Sequence, residues 1–227
     1  DKALSSAELQ AIMETPLTGA EEGLAAYWEM EGASEKTYLE LDGDDDFIML
    51  GDIDAMDAPD RFTVGMWFRR DSDNDETTNH AVHNILFSQA SEQDNDNLEI
   101  GTRGSNVELF IDTPGYDGMQ TFDAGIEDGK WYHLTVVYDK DKDPSAKVYI
   151  NGQIKAALGR WSGTLDSSGN SPISLGVGRG DSDESSYGKR ADLHGAMDEV
   201  AIYTRPLSES EVQSLVNTAP APDDTGL

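Results

Sequence analysis

The chain has 227 residues, 37% of them hydrophobic, and 45 acidic against 16 basic residues give a formal net charge of −29. That surplus repels nucleic acid and anionic lipid, so neither is expected as a partner, whereas cations are. There is no cysteine, which excludes disulfides and thiolate metal sites, and no run of 18 apolar residues, so no membrane-inserted helix is expected.

In chain order, Leu4 stands before Ser5 and Ser6, Leu9, Ile12 and Met13 follow them, and Glu8 lies three places after Ser5. That capping-box pattern predicts a short helix over 4 to 14. Residues Leu24 to Met30 and Tyr38 to Leu41 read as strands. In FTVGMWFR, Phe62, Val64, Met66 and Phe68 share one face, and in WYHLTVVYD so do Tyr132, Leu134, Val136 and Tyr138. Between them lie candidate strands Asn84 to Ser88, Leu98 to Thr102 and Val107 to Asp112. Lys147 to Ala156 reads as a hairpin about Asn151-Gly152, the dipeptide suited to a type I′ turn. Ile173 to Gly178 and Met197 to Tyr203 complete the strands. A second helix is expected after Pro206, capped by Ser208 with Glu211 and carrying Val212, Leu215 and Val216. The acidic stretches Asp71 to Asn79, Glu92 to Asn97 and Asp181 to Asp192 read as loops, where binding residues tend to sit.

The two helices echo each other: LSSAELQAIM at 4 to 13 against LSESEVQSLV at 207 to 216. Self-similarity at domain spacing suggests a tandem array. Residues 1–22 are therefore read as a helix and linker resembling the end of a preceding repeat, 23–217 as one all-β domain, and 218–227 as a linker to a following repeat. Neighbouring domains of the same polypeptide become expected partners, and the isolated domain is expected to be a monomer.

Five ordered segments carry a family resemblance: GLAAYWEMEG at 23 to 32, YLELDGDDDFIML at 38 to 50, FTVGMWFRR at 62 to 70, WYHLTVVYDKDKDPSAKVYINGQ at 131 to 153, and HGAMDEVAIYTRPLSESEV at 194 to 212. Together they resemble the laminin G-like, concanavalin A-like jelly-roll family in its bacterial extracellular form. The resemblance implies an antiparallel two-sheet jelly-roll β-sandwich of six or seven strands per sheet, with first and last strands adjacent and short terminal helices. It also implies an extracellular or bacterial cell-surface location.

Asp198 shares a strand face with Val200 and Ile202 in plain alternation, so its carboxylate is expected at the core's edge, where it needs a partner. The family analogy supplies a structural calcium, held by Asp198 with Asp42, Asp45 and Asp46 as matching candidates. An arginine salt bridge or a solvated strand end remains the alternative. The EF-hand pattern is not met around Asp42, because the glycine and the terminal glutamate are missing. Asp71, Asp73, Asp75 and Glu76 could hold a second ion or form an acidic loop.

A retaining glycosidase needs two carboxyls about 5 Å apart across the sugar. Around Glu99 and around Asp198-Glu199, each strand offers one carboxylate per face. No GxSxG, HExxH or Walker loop is present either, so the chain is read as non-catalytic. His80 and His83 could share a metal or be a surface pair, and His133 reads as structural. Trp161 and Tyr116 stand in glycine-flanked loops, either as a sugar platform or as packing over the sandwich edge. Asn95, Asp96, Asn97, Asp181 and Asp183 are the polar loop groups that a glycan or a calcium ion could use. Arg179-Gly180-Asp181-Ser182 matches a cell-attachment string. The expected function is a calcium-binding, carbohydrate-binding adhesin module; a calcium-rigidified spacer and an accessory module of a polysaccharide-degrading enzyme are the alternatives.

Overall fold

The computed structural model describes residues 21–28, 38–44, 46–74, 82–91, 95–167, 171–178 and 192–217. Thirteen strands account for most of them: β1 Leu24–Trp28, β2 Leu39–Asp42, β3 Ile48–Gly51, β4 Arg61–Ser72, β5 Ile85–Ser91, β6 Asn95–Arg103, β7 Asn106–Thr113, β8 Tyr116–Asp123, β9 Trp131–Asp139, β10 Ala146–Ile150, β11 Gln153–Leu158, β12 Ile173–Leu175 and β13 His194–Tyr203. A short 3-10 turn spans Asp54–Met56, and the helix α1 spans Glu209–Leu215. The expected helix over 4 to 14 lies outside the described residues, as do residues 1–20 and 218–227 of the two outer segments.

All ladders are antiparallel. One sheet of seven strands runs β1-β13-β4-β9-β10-β11, with β2 also on β13, and the other of six runs β3-β12-β5-β6-β7-β8. The first and last strands pair, as the jelly-roll resemblance implies. The two strong period-two patterns meet in register: Phe62 opposite Tyr138, Val64 opposite Val136, Met66 opposite Leu134 and Phe68 opposite Tyr132. Their shared face packs into the main core with Leu98, Ile100, Leu109 and Ile111 of the other sheet. Fully burying each such side chain contributes about 1.5–3 kcal/mol.

The other face of the seven-stranded sheet is covered too. α1 sets Val212 and Leu215 on Val137, Tyr149, Ala201 and Tyr203, and Trp67, Trp131 and Tyr38 form a separate aromatic cluster. Asn151 and Gly152 take φ of 50° and 73°, as the type I′ turn requires. The loop expectations shift at their edges. β4 continues through Ser72, and β6 begins at Asn95, so 95 to 97 are strand.

At the entry to α1 the expected capping box is complete: Glu211 N–H donates to Ser208 Oγ at 3.4 Å, and Ser208 N–H donates to Glu211 Oε2 at 2.7 Å. Ser208→Ala is expected to cost about 1 kcal/mol, read as a lower urea midpoint at unchanged slope. An unchanged midpoint would show that α1 is held by its apolar face alone.

His133 is structural, as expected. It sits edge-on to Trp67 at 5.4 Å and beside Thr135 Oγ1 at 3.2 Å, and burial pushes its ring down from 6.5 to about 3. The unfolded chain therefore takes up this proton before the folded one does. Its contribution to stability is complete above about pH 6.5 and is lost as pH falls towards 3. His133→Phe, which keeps a ring against Trp67 and cannot ionise, should flatten that part of the acid limb in a pH series of unfolding midpoints. An unaltered acid limb would assign acid sensitivity to other groups.

Candidate functional site

The rim where the β7–β8 hairpin meets the segment 159–167 gathers most of the described ligand candidates. That segment has no ladder of its own, so it is pinned by individual bonds. Tyr138 Oη donates to Gly163 O at 2.6 Å, Ser145 Oγ to Trp161 O at 2.6 Å, and Thr164 Oγ1 to Asp60 Oδ1 at 2.8 Å. Leu165 N–H donates to Pro59 O, Asp166 N–H to Asp112 O at 3.0 Å, and Ser167 Oγ to Met56 O at 2.8 Å. Gly115, in the hairpin turn, lets it close in: a Cβ there would lie 1.9 Å from Ser162 Oγ.

Trp161 is not an exposed platform. It is 1% exposed within the main core, and its Nε1–H donates to Gly118 O at 3.0 Å, so it seals the sandwich edge. Tyr116 is half-buried beside it, ring centroids 6.3 Å apart. The exposed Arg160 lies over the Tyr116 ring at 5.0 Å and donates to its hydroxyl at 3.3 Å. The accessible group at this corner is therefore a guanidinium stacked on a phenol.

Beside it lies an oxygen-rich corner. Asp112 stands opposite Asp117 in the β7–β8 ladder. Asn97, one step beyond the Leu98–Ile111 pair, comes level with Asp112. Asn97 Nδ2 donates to Asp166 O. Burial, then the charges of Asp117 and Asp166, push the Asp112 carboxyl up to about 6. Sequence reasoning singled out Asn97 but missed the three aspartates, which come from three separate segments. Asn95 and Asp96 enter β6, but their side chains, with Asp181, Asp183 and the Arg179–Ser182 string, lie outside the described residues.

The expected calcium set is not brought together. A bulge between Asp198 and Ala201, with Glu199 at φ 50°, breaks the alternation on which the expectation rested. Asp198 pairs with Trp67 and so faces away from the inward Val200 and Ile202. Its Oδ1 accepts from Glu199 N–H at 2.8 Å. Asp42 is opposite His194, four residues along β13, or roughly 13 Å. Asp42 and Asp46 form a local turn instead: Asp42 Oδ1 accepts from Asp44 N–H at 2.9 Å, and Asp46 Oδ2 from Asp42 N–H at 3.2 Å. Asp45 lies outside the described residues.

Other acids have partners as well. Asp71 accepts two bonds from Arg69, at 2.7 and 3.0 Å, and Asp73 accepts from the buried Arg70 at 3.0 Å. Asp75, Glu76 and His80 are outside the described residues. His83 is buried, its Nδ1 3.0 Å from Glu108 Oε2, so it is no member of a surface pair. Among the described residues, the one acidic trio with carboxylate oxygens all within 4.8 Å is Asp52, Asp54 and Asp57, on the surface near the 3-10 turn.

Glu99 and Glu108 come from adjacent strands onto one sheet face, a pairing invisible to a search along single strands. Glu99 is fully buried, with Ser88 Oγ donating to it at 3.3 Å, and Glu108 accepts both the backbone N–H and the ring of His83. A cleft of about 480 Å³ lies elsewhere, between residues 139–145 and the start of α1. Lys142 and Lys147 line it on one side and Glu209 and Glu211 on the other.

Among solved structures, the chain is similar to domain 4 of AbnA, a GH43 extracellular arabinanase from Geobacillus stearothermophilus, in complex with arabinotriose. The TM-score is 0.58 at 19% identity, over 85% of this chain and 98% of that one. It is also similar to the CBM40 of the Ruminococcus gnavus IT-sialidase bound to α2,3 sialyllactose, with TM-score 0.59 at 15% identity, over 86% and 100%. A mutant NanB sialidase from Streptococcus pneumoniae gives 0.62 at 17% identity, over 84% of this chain and 28% of that one. At these identities the likeness is one of fold. No curated protein matches the chain. A family model described as the concanavalin A-like lectin/glucanases superfamily matches residues 42–213, and the paired sheets carry that stretch through, so the chain belongs to this superfamily.

Proposed function

We propose that the chain is a non-catalytic carbohydrate-binding module of a larger extracellular bacterial protein, and that the rim around Tyr116 and Arg160 is its ligand surface. The observation that carries this reading is the planar Arg160 on the half-buried Tyr116, beside the oxygen-rich corner of Asn97, Asp112, Asp117 and Asp166. A flat π-cation surface suits the apolar face of a pyranose or furanose, and adjacent polar groups suit its hydroxyls. Two neighbours of the same fold are sugar complexes, one with arabinotriose and one with sialyllactose.

The net charge narrows the ligand. At −29, with three aspartates at the rim, the surface disfavours sialylated or uronic glycans and favours neutral ones. Catalysis is disfavoured because Glu99 is buried and Glu108 is engaged by His83. Calcium belongs to the proposal as the ion that would steady the rim and offer open positions to vicinal hydroxyls. Attachment of an adhesin to a surface is one role for such a module. The neighbours, one a domain of an arabinanase and one the CBM40 of a sialidase, favour a second, as accessory module of a polysaccharide-acting enzyme.

Affinity electrophoresis against arabinan, xylan, β-glucan, sialyllactose conjugate and polygalacturonate tests the reading. A neutral polysaccharide should retard the protein, with the two anionic ligands inert, and Tyr116→Ala and Arg160→Ala should each weaken binding about tenfold, on the order of 1.4 kcal/mol. Silence across the panel, or binding that both variants retain, would reject the rim as the ligand surface.

A further inference from the structure

The cleft of about 480 Å³ between residues 139–145 and the start of α1 has the size of a small-molecule site, about 300–1,000 Å³, and neither Tyr116 nor Arg160 lines it. Its floor is apolar: Val137, Tyr149 and Leu207 belong to the outer core that α1 covers, with Pro144 and Pro206 beside them. The charges around that floor fall into two kinds. Asp139 and Glu211 are engaged, since Asp139 Oδ1 accepts from Arg61 Nε at 3.0 Å and Glu211 Oε1 from Arg205 Nη2 at 2.6 Å. Asp143 is turned to Gly159, its Oδ1 2.9 Å from where a Cβ there would stand. Lys142, Lys147 and Glu209 differ: the side chain of each has no ion pair or hydrogen bond with a described residue. Lys147 is half-buried, opposite Val137 in the β9–β10 ladder and two places before Tyr149 on the same face. Glu209 reaches the same floor from α1, because its charge, after burial, raises the Tyr149 hydroxyl above its ordinary value. In a chain with 45 acidic and 16 basic residues, a half-sheltered ammonium left without a carboxylate has an unmet demand for an anion.

We propose that this cleft binds a short peptide with free ends, its carboxylate on Lys142 and Lys147, its ammonium on Glu209 and an apolar side chain on Val137, Tyr149 and Leu207. The lysines line one side and Glu209 the other, so a ligand carrying a single charge would meet its like across the cleft, whereas a dipolar one satisfies both walls. The volume holds more than one residue, which favours a di- or tripeptide over a free amino acid. A sugar is disfavoured here, because Tyr149 is 2% exposed and offers it no ring face. The site is separate from the glycan surface proposed above, and the failure of either leaves the other standing.

Calorimetric titration of the whole chain with tri-leucine, without sugar, tests the site. The free peptide should bind with a one-site heat, and N-acetyl-tri-leucine and tri-leucine amide, each lacking one charge, should bind about tenfold more weakly. These comparisons are made on the parent protein and need no variant to fold. Glu209→Gln should weaken the free peptide about tenfold and leave the acetylated one as it was. Lys142→Gln with Lys147→Met should do the same for the free peptide and spare the amide. That pairing of residue with peptide end is what direct contact gives and a general change of surface charge does not. The lysine pair should melt at or above the parent, since two unpaired charges have gone, so its weaker binding is no folding defect. Arg160→Ala should leave peptide binding intact.

Calorimetric silence up to millimolar tri-leucine would overturn the site. So would equal affinity for the free and the end-blocked peptides, which makes the cleft a plain apolar pocket, or loss of binding with Arg160→Ala, which moves the peptide to the rim. Silence together with a mass that doubles with protein concentration, and returns to the monomer in the lysine pair, would give the cleft to a second copy of the chain instead. Loss of glycan binding with peptide binding intact would count against the function proposed above and leave this site in place.

Discussion

The fold depends on two adjacent strands, β4 and β9, being buried on both faces. Residues 62 to 68 of β4 and all of β9 are shielded from solvent. Their inward side chains make the centre of the sandwich, and their outward ones must be covered by something other than the opposite sheet. α1 provides part of that cover, with Leu215 Cδ1 only 3.3 Å from where a Cβ on Gly65 would stand. A strand with two buried faces has no solvent to satisfy polar groups. Its polar side chains therefore settle on one another, as His133 does with Thr135 and Trp67, and they lose the charged state in doing so.

Charge is distributed unevenly over this frame. Arg61 engages Asp139 and Asp141, Arg69 engages Asp71, Arg70 engages Asp73 and Asp128, and Arg205 engages Glu211. The exposed pairs contribute little individually. Arg70 differs: at 2% exposure, with Thr102 Oγ1 as a further acceptor, it ties β4 to β6 and to the turn before β9. Removing its partners would strand a buried charge. At the rim, Arg160 lies on Tyr116, and the charges that reach Asp112 are those of Asp117 and Asp166.

Legibility from sequence follows burial. Where a strand buries one face against the other sheet, alternation is unmistakable, and Phe62 to Phe68 and Tyr132 to Tyr138 pair as read. The Asn151-Gly152 turn and the Ser208-Glu211 cap are equally local and equally legible. β8 is an edge strand with both faces partly wet, so YDGMQTFD shows no period, and it was missed. The short edge strand β3 was missed for the same reason. Asp198 was misplaced because one bulge reverses the facing of every residue before it, and nothing in MDEVAIY announces a bulge. Glu99 with Glu108, as diagonal neighbours, and Asn97 with Asp112, directly across, meet on one face from two strands, which becomes visible only once register is known.

The rim's two halves hang on one short segment. Its beginning places Arg160 on Tyr116 and buries Trp161, and its end places Asp166 between Asn97 and Asp112. Because it joins no sheet, its position is set by side-chain hydroxyls of Tyr138, Ser145, Thr164 and Ser167 together with a few backbone bonds. Each such bond adds only about 0.5–1.5 kcal/mol net. Losing one of these bonds therefore loosens the seat of Arg160 and of Asp166 together, while the ladders of the two sheets stay as they are.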